Sequence, residues 1–392
     1  MAEKGTNVLD YLRWRGDLDF TADSFNEVDN LILCIICYLN FQRFPSLKTK
    51  DAAKAVPIRR LNSRMTEKDE QLGLSNLSYL PVMRMAAESR RFGALRLFGY
   101  ESDHDDAREM QFDAISFLVP DGSIFVSYMG TDRSLAGWKE DFNMSYLTVP
   151  AQERAAAYAL EMAQACPERP LRIGGHSKGG NLAAWAAIHL PREVQENRLL
   201  AAYNNDGPGF RRTLLETPEY ERIKDKLHTY IPEASIVGIL LEHEEDYAVI
   251  ASSNKAMLQH EAMSWSVMGN RFVHLGERSQ LGKFSDEVLQ EWIGSMSIEE
   301  REEFSEALFE ILGQGGKVRS LEELTDEGFA GHRALLQYYT KADEEKKKII
   351  GDVLRRLAVD IRDELRRGAE EGIQAAKDSL KAAVENIVEK RK

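Results

Sequence analysis

Gly175-His176-Ser177-Lys178-Gly179 spells G-x-S-x-G, with small residues two positions before and two after a serine. That spacing suits a chain that reverses sharply from strand into helix and holds the serine in a strained conformation, where larger neighbours would collide. The context fits: apolar Leu171-Arg172-Ile173 comes before, and helix-like sequence from Asn181 to Leu190 follows, so helix N-terminal N–H groups can face a developing oxyanion. A phosphate-gripping loop is excluded, because Lys178 is followed by Gly179 and Gly180 and not by Ser or Thr. The chemistry this points to is nucleophilic attack by the Ser177 hydroxyl. A serine is a poor nucleophile at neutral pH, so it needs a histidine base, and that base needs an orienting carboxylate.

Those partners are sought downstream, each just past the end of a strand. For the acid, Asp206 in Asn204-Asn205-Asp206-Gly207-Pro208-Gly209 follows the apolar stretch that ends at Tyr203 and is the first choice; Glu233 and Asp246 are the reserves. The competing reading of Asp206 is a turn former. Eight histidines compete for the base. His260 is favoured because it follows the last expected core strand, where a loop can return it over Ser177, with His274 and His243 as alternatives. Two backbone N–H donors are also required at the substrate carbonyl oxygen. The Lys178 amide would be one, and the Thr131 amide, where a strand ends at Gly130-Thr131, the other. The next segment, 134–143, is expected to cover the site, with Ser134 and Trp138 as the substrate-facing candidates.

Positioning these residues takes alternating strands and helices. Leu95 to Tyr100, Phe112 to Val119 and Ile124 to Met129 are short runs rich in aromatic and β-branched residues, the last two joined by the turn sequence Pro120-Asp121-Gly122-Ser123. A helix is expected over Ala151 to Ala165, then strands at Leu171-Ile173, Leu199-Tyr203, Leu227-Ile231 and Ala248-Ser252. Strand and helix alternating at this pitch imply βαβ units and a mixed, mostly parallel sheet flanked by helices. Before it, apolar residues recur at helical spacing, with Asp29 and Asn30 expected to cap the helix that contains Leu31 to Leu39. After it, Ile350 through Ile387 paint one apolar stripe on a long amphipathic helix of nearly balanced charge. The expected division is a helical segment at 1–90, an α/β core at 91–280 and a helical region at 281–392.

The 392 residues suffice for a sizeable core, and a formal net charge of −13 opposes binding of nucleic acid or anionic lipid, both of which require a cationic face. Three cysteines make no disulfide framework, and Cys34-x-x-Cys37 sits inside an apolar run without neighbouring ligands, so buried thiols are expected. No cofactor and no metal are expected. The start of the chain lacks an apolar stretch behind a basic head, and no run is long enough to span a bilayer, so a cytoplasmic location is expected.

Taken together, Gly130-Thr131 with Ser134, Trp138 and Asp141, the stretch Gly175 to Ala183, Asn205 to Phe210, Ile231 to Gly238, and Gln259-His260 with Trp265 give a chain that resembles the class 3 (fungal-type) lipases of the α/β-hydrolase superfamily. It resembles more closely a bacterial family of lipase-like proteins. The resemblance covers about residues 90 to 275. It implies an α/β-hydrolase-like fold with helical additions and a serine esterase or lipase mechanism, with nucleophile Ser177 and an oxyanion donor at Thr131. Three departures stand out. Met129 occupies a position where those lipases usually carry arginine; Ser235-Ile236-Val237-Gly238 stands where they carry the acid in a D-x-V-P pattern; and Lys178 is unusual beside a nucleophile. The Lys178 ammonium is expected either to receive an anionic portion of the substrate or to lie on the helix surface. The function expected is cleavage of a carboxylic ester or thioester, with a small acyl-ester or lipid-like substrate, through an acyl-enzyme on Ser177. The rival is a non-catalytic interaction protein that keeps the scaffold and self-associates through its C-terminal helix.

Overall fold

The computed structural model describes residues 6–70, 78–105, 107–131, 135–144, 146–235, 237–239, 241, 243–254, 256–278 and 296–312, with isolated positions 344 and 348. Among the described residues there are eleven strands: β1 (Val56–Pro57), β2 (Arg96–Asp105), β3 (Met110–Leu118), β4 (Ile124–Tyr128), β5 (Leu171–His176), β6 (Leu199–Asn205), β7 (Leu227–Pro232), β8 (Tyr247–Ile250), β9 (Val267–Met268), β10 (Arg271–Phe272) and β11 (His274–Leu275). Nine of them form one sheet in the order β1-β2-β3-β4-β5-β6-β7-β8-β11, and β9 pairs with β10 apart from it. The run β4 through β8 is parallel, while β1 to β4 and the β8–β11 edge are antiparallel. This is the mixed α/β-hydrolase-like sheet flanked by helices that the sequence led us to expect. All the carboxyl ends of the parallel run point to one edge, where α/β proteins build their sites.

Seven helices matter for the site: α1 (Val8–Arg15), α2 (Glu27–Cys37), α3 (Ile58–Asn62), α4 (Leu80–Glu88), α5 (Leu135–Asn143), α6 (Pro150–Ala165) and α7 (Lys178–Ile188). The crossover helices α6 and α7 both pack on one face of the sheet: Tyr158, Ala159, Met162, Leu182 and Ala186 share a core with Ile124, Val126, Ile173 and Ala202. Successive strands laid down in one direction place their crossovers on a single side, which leaves the other face bare and apolar. The N-terminal helices cover it. Tyr11, Ile32, Ile36 and Val82 share a second core with Phe117, Phe125, Tyr203 and Tyr230, the strand side chains of opposite parity.

Local sequence explains the helix starts. Asn7 and Asn26 each accept from backbone N–H groups in the first turn, and Asp10 and Asp29 close reciprocal capping boxes; such a cap contributes about 1 kcal/mol. The cap of α2 is therefore Asn26, one turn ahead of the expected Asp29 and Asn30. Those two are wholly buried, Asp29 on the Arg91 guanidinium and Asn30 on Asn205. Cys34, Cys37 and Cys166 are buried free thiols. No helix among the described residues is long and apolar enough to cross a membrane. The long C-terminal helix expected from the apolar stripe Ile350 to Ile387 falls outside the described residues.

Candidate active site

The elbow stands at the carboxyl end of β5. Ser177 has φ 61° and ψ −134°, a backbone conformation rarely adopted by a residue with a side chain, and it ends the strand while capping α7. Conformations of this kind cost roughly 1–3 kcal/mol and persist where the surroundings over-determine them. Here the surroundings are glycines. A Cβ on Gly175 would stand 2.0 Å from the Gly179 carbonyl oxygen, and one on Gly179 would stand 2.3 Å from the Tyr128 carbonyl oxygen. Strand and helix thus approach too closely for any side chain at either position. Ser177 is half-buried, and its amide donates to the Asn205 carbonyl at 2.9 Å, which ties the elbow to the end of the neighbouring strand β6.

One residue further along β6 is Asp206, also at positive φ (56°) and fully buried. Its turn is fixed by neighbours: the Gly207 amide donates to Asn204 Oδ1 at 2.9 Å, and Asn181 Nδ2 on α7 donates to the carbonyls of Pro208 and Gly209 at 3.1 and 3.0 Å. Asp206 Oδ2 accepts from His260 Nδ1 at 2.7 Å and from Ser235 Oγ at 2.6 Å. That bond fixes the His260 tautomer, leaving Nε2 unprotonated in the neutral ring. The 256–261 loop carrying His260 is held by Trp265 Nε1, which donates to the Gln259 carbonyl at 3.0 Å, and by the Ala234 amide, which donates to Gln259 Oε1 at 2.8 Å.

His176 supports His260 from behind. Its Nε2 donates to the His260 carbonyl at 2.8 Å, the two rings are 4.7 Å apart, and the Tyr38 hydroxyl at the end of α2 donates to His176 Nδ1 at 3.1 Å. Burial, reinforced by the neighbouring His260, pushes His176 down to about 4, so it is neutral near pH 7 with the proton on Nε2. Asn30 of α2 exchanges side-chain amide bonds with Asn205, and Asn205 Nδ2 also donates to the Gly175 carbonyl at 2.8 Å. The N-terminal helices therefore reach under the elbow as well as covering the sheet.

On the other side of Ser177 lies the Gly130-Thr131 turn. A Cβ on Gly130 would be 2.6 Å from the His176 carbonyl oxygen and 3.0 Å from Ser177 Cβ, which places this turn against the nucleophile. Thr131 Oγ1 donates to Asp141 Oδ2 on α5. Asp141 is half-exposed as a residue, but its carboxyl group faces inward: Oδ1 is shielded and has no hydrogen-bond partner. Burial raises the Asp141 carboxyl to about 7, against the opposing field of Lys178. Met129, where arginine was the reference, is buried, and its amide donates to the Asp113 carbonyl at 3.0 Å, so the turn is braced through β3.

The structure thus brings Ser177, Thr131, Lys178, Asp206 and His260 to one edge of the sheet. The alternatives are elsewhere: His243 is bound to Glu245 and the Gly238 carbonyl, His274 to Glu27, Asp246 is exposed, and Glu233 meets Gln259. Neither expectation for the Lys178 side chain holds. Its ammonium is buried, donating to Gln111 Oε1 at 2.7 Å, the Gln111 carbonyl at 2.9 Å and Glu140 Oε2 at 3.0 Å, so it neither faces a substrate nor lies on the helix surface. Ser134 lies outside the described residues; Trp138 falls within α5, and its side chain is also outside them. Sequence reasoning missed Tyr38, Asn30, Gln111, Glu140 and Ser235. Among the described residues, no cluster of His, Cys, Asp and Glu is placed to hold a metal ion.

Comparison with solved structures finds fungal lipases. One fungal lipase is 12% identical over 69% of this chain and 90% of its own, with a TM-score of 0.39. The native Rhizomucor miehei lipase propeptide complex is 14% identical over 45% and 70%, with a TM-score of 0.32. A mutant form of MDLA from Penicillium cyclopium is 12% identical over 58% and 84%, with a TM-score of 0.31. None of the curated proteins matches the chain. The Mbeg1-like family matches residues 86–310, more than half of the chain and every site residue from Gly130 to His260, and the chain belongs to that family.

Proposed function

We propose that this protein is a serine hydrolase that cleaves a carboxylic ester or thioester through an acyl-enzyme on Ser177. The observation that carries the reading is the 2.7 Å bond from His260 Nδ1 to the buried Asp206 carboxylate, at the same sheet edge as a serine held at φ 61°. In the first half-reaction the Ser177 oxygen attacks the substrate carbonyl carbon while His260 Nε2 takes the hydroxyl proton. The developing oxyanion is met by the Lys178 and Thr131 amides. The bond to the leaving oxygen or sulfur then breaks, and the imidazolium returns its proton to the leaving group. Water repeats the sequence, releasing the acid and restoring Ser177. Asp206 keeps the imidazole in the required tautomer and offsets its charge. The substrate of this reading is a small acyl-ester or lipid-like molecule.

A fluorophosphonate probe tests the reading. It is expected to label the wild-type chain and to leave Ser177→Ala unlabelled; equal labelling of the two removes the proposal.

A further inference from the structure

We propose that Lys178 governs both oxyanion donors of the hydrolase just described, its main chain supplying one and its buried ammonium positioning the other. The proposal rests on that reading for its catalytic meaning and on independent geometry for its structural part.

Lys178 is at the first position of α7, where the helix dipole disfavours a cation, and its side chain is fully shielded from water, which disfavours a charge further. Its partners compensate. The ammonium donates to Glu140 Oε2 on α5 and to both oxygens of Gln111 on β3. Glu140 is held in turn by the amides of Gln111 at 3.1 Å and Ala151 at 3.2 Å. Two arms run outward from this hub, and both end on the Gly130-Thr131 turn. Through Gln111, Nε2 reaches the Gly130 carbonyl at 3.4 Å and Asp113 Oδ2 at 3.0 Å, while the Asp113 carbonyl holds the Met129 amide. Through Glu140, the ammonium anchors α5 at the residue next to Asp141, which holds Thr131 Oγ1. A well-packed apolar side chain would fill the same space at no desolvation cost, and such replacements of buried pairs are often neutral or stabilising. Stability alone therefore gives little reason for a cation here. The two arms give one: they join the nucleophile's helix, the cover helix and the oxyanion turn at a single charge.

Two variants of the full chain test this, Lys178→Met and the double variant Lys178→Met/Glu140→Met, the second removing both charges so that no unpaired carboxylate is left in the interior. Hydrogen exchange over 129–131 and α5 is measured alongside the rate of fluorophosphonate labelling at Ser177. In both variants exchange in those segments is expected to rise by about tenfold or more while β5 and β6 stay protected, and labelling is expected to slow by roughly 10- to 100-fold. A double variant with wild-type exchange and a wild-type labelling rate overturns the proposal. Faster exchange in a chain whose wild type is never labelled at Ser177 removes the oxyanion role and the hydrolase reading together. Unchanged exchange at a wild-type labelling rate requires Ser177-specific labelling of the wild type, so it overturns the role of Lys178 while leaving the hydrolase reading standing.

Discussion

At the residue scale, His176 and Asp141 titrate in opposite senses. Burial holds His176 near 4 against an ordinary value of 6.5, so between those limits the unfolded chain carries a proton that the folded chain lacks, and stability rises with pH. Asp141, raised from 3.8 to about 7, retains a proton across that window that the unfolded chain has lost, and stability falls as pH rises. Each contributes at most about 1.4 kcal/mol per pH unit, less for Asp141 because part of the residue meets solvent. Asp141→Asn removes the falling component. Its melting temperature is therefore expected to climb more steeply than that of the wild type between about pH 4 and 6.5, and parallel profiles would contradict the assignment. Legibility at this scale was uneven. The sharp turn at Ser177 could be read from its glycines, and the position of Asp206 from the apolar strand before it. Tyr38, Gln111 and Glu140 could not, because their meaning lies in contacts across long stretches of chain and nothing local marks them. Asn30 had a weak signal: a polar amide at the mouth of an apolar run suggests a helix cap and equally a buried partner, and the second is what the fold uses.

At the element scale, α5 carries Glu140 and Asp141 toward the site and shows its other side to the helix Ile298–Leu312. Phe142 and Phe304 lie ring to ring at 5.6 Å, Ser305 Oγ donates to Asn143 Oδ1 at 2.8 Å, and Lys139 donates to Glu306 at 2.7 Å. Phe304 is 3% exposed, so Phe304→Ala empties an aromatic-sized space at this seam and is expected to cost about 3 kcal/mol. Hydrogen exchange should place the loss in α5 and Ile298–Leu312; exchange unchanged in both would show that the seam does not hold α5. The β3–β4 hairpin was legible because Pro120-Asp121-Gly122-Ser123 states its own turn, and the strands β5 to β8 because short apolar runs alternate with helical stretches such as α6. Strands β1, β9, β10 and β11 have two residues each, too few to display any alternation, and are set by the partners they meet.

At the scale of the whole molecule, one sheet is covered by crossover helices on one face and by N-terminal helices on the other, and the second layer also supplies Tyr38 and Asn30 to the site. Arg91 fastens that layer: it is fully buried, paired with Asp29, and donates to the carbonyls of Asp23 and Ser24. The sequence could indicate that a helical segment precedes the sheet, but not that it closes the second face, since which face a helix covers depends on the sense of the crossovers. We propose that the C-terminal stripe from Ile350 to Ile387 serves assembly and not turnover. Removing 342–392 is expected to lower the mass in solution while ester cleavage persists; unchanged mass would leave the stripe without that role, and lost cleavage at unchanged fold would tie it to the site.

The most direct measurement is to mix the protein with p-nitrophenyl acetate, quench it early and locate the acetyl group by peptide mass spectrometry. The predicted result is acetyl on Ser177 in the wild type, formed roughly 100-fold or more slowly in His260→Ala and in Asp206→Asn, with Glu233→Gln and Asp246→Asn close to wild type. A wild-type chain with no acetyl on Ser177, or one acetylated equally fast without the imidazole of His260, would contradict the account.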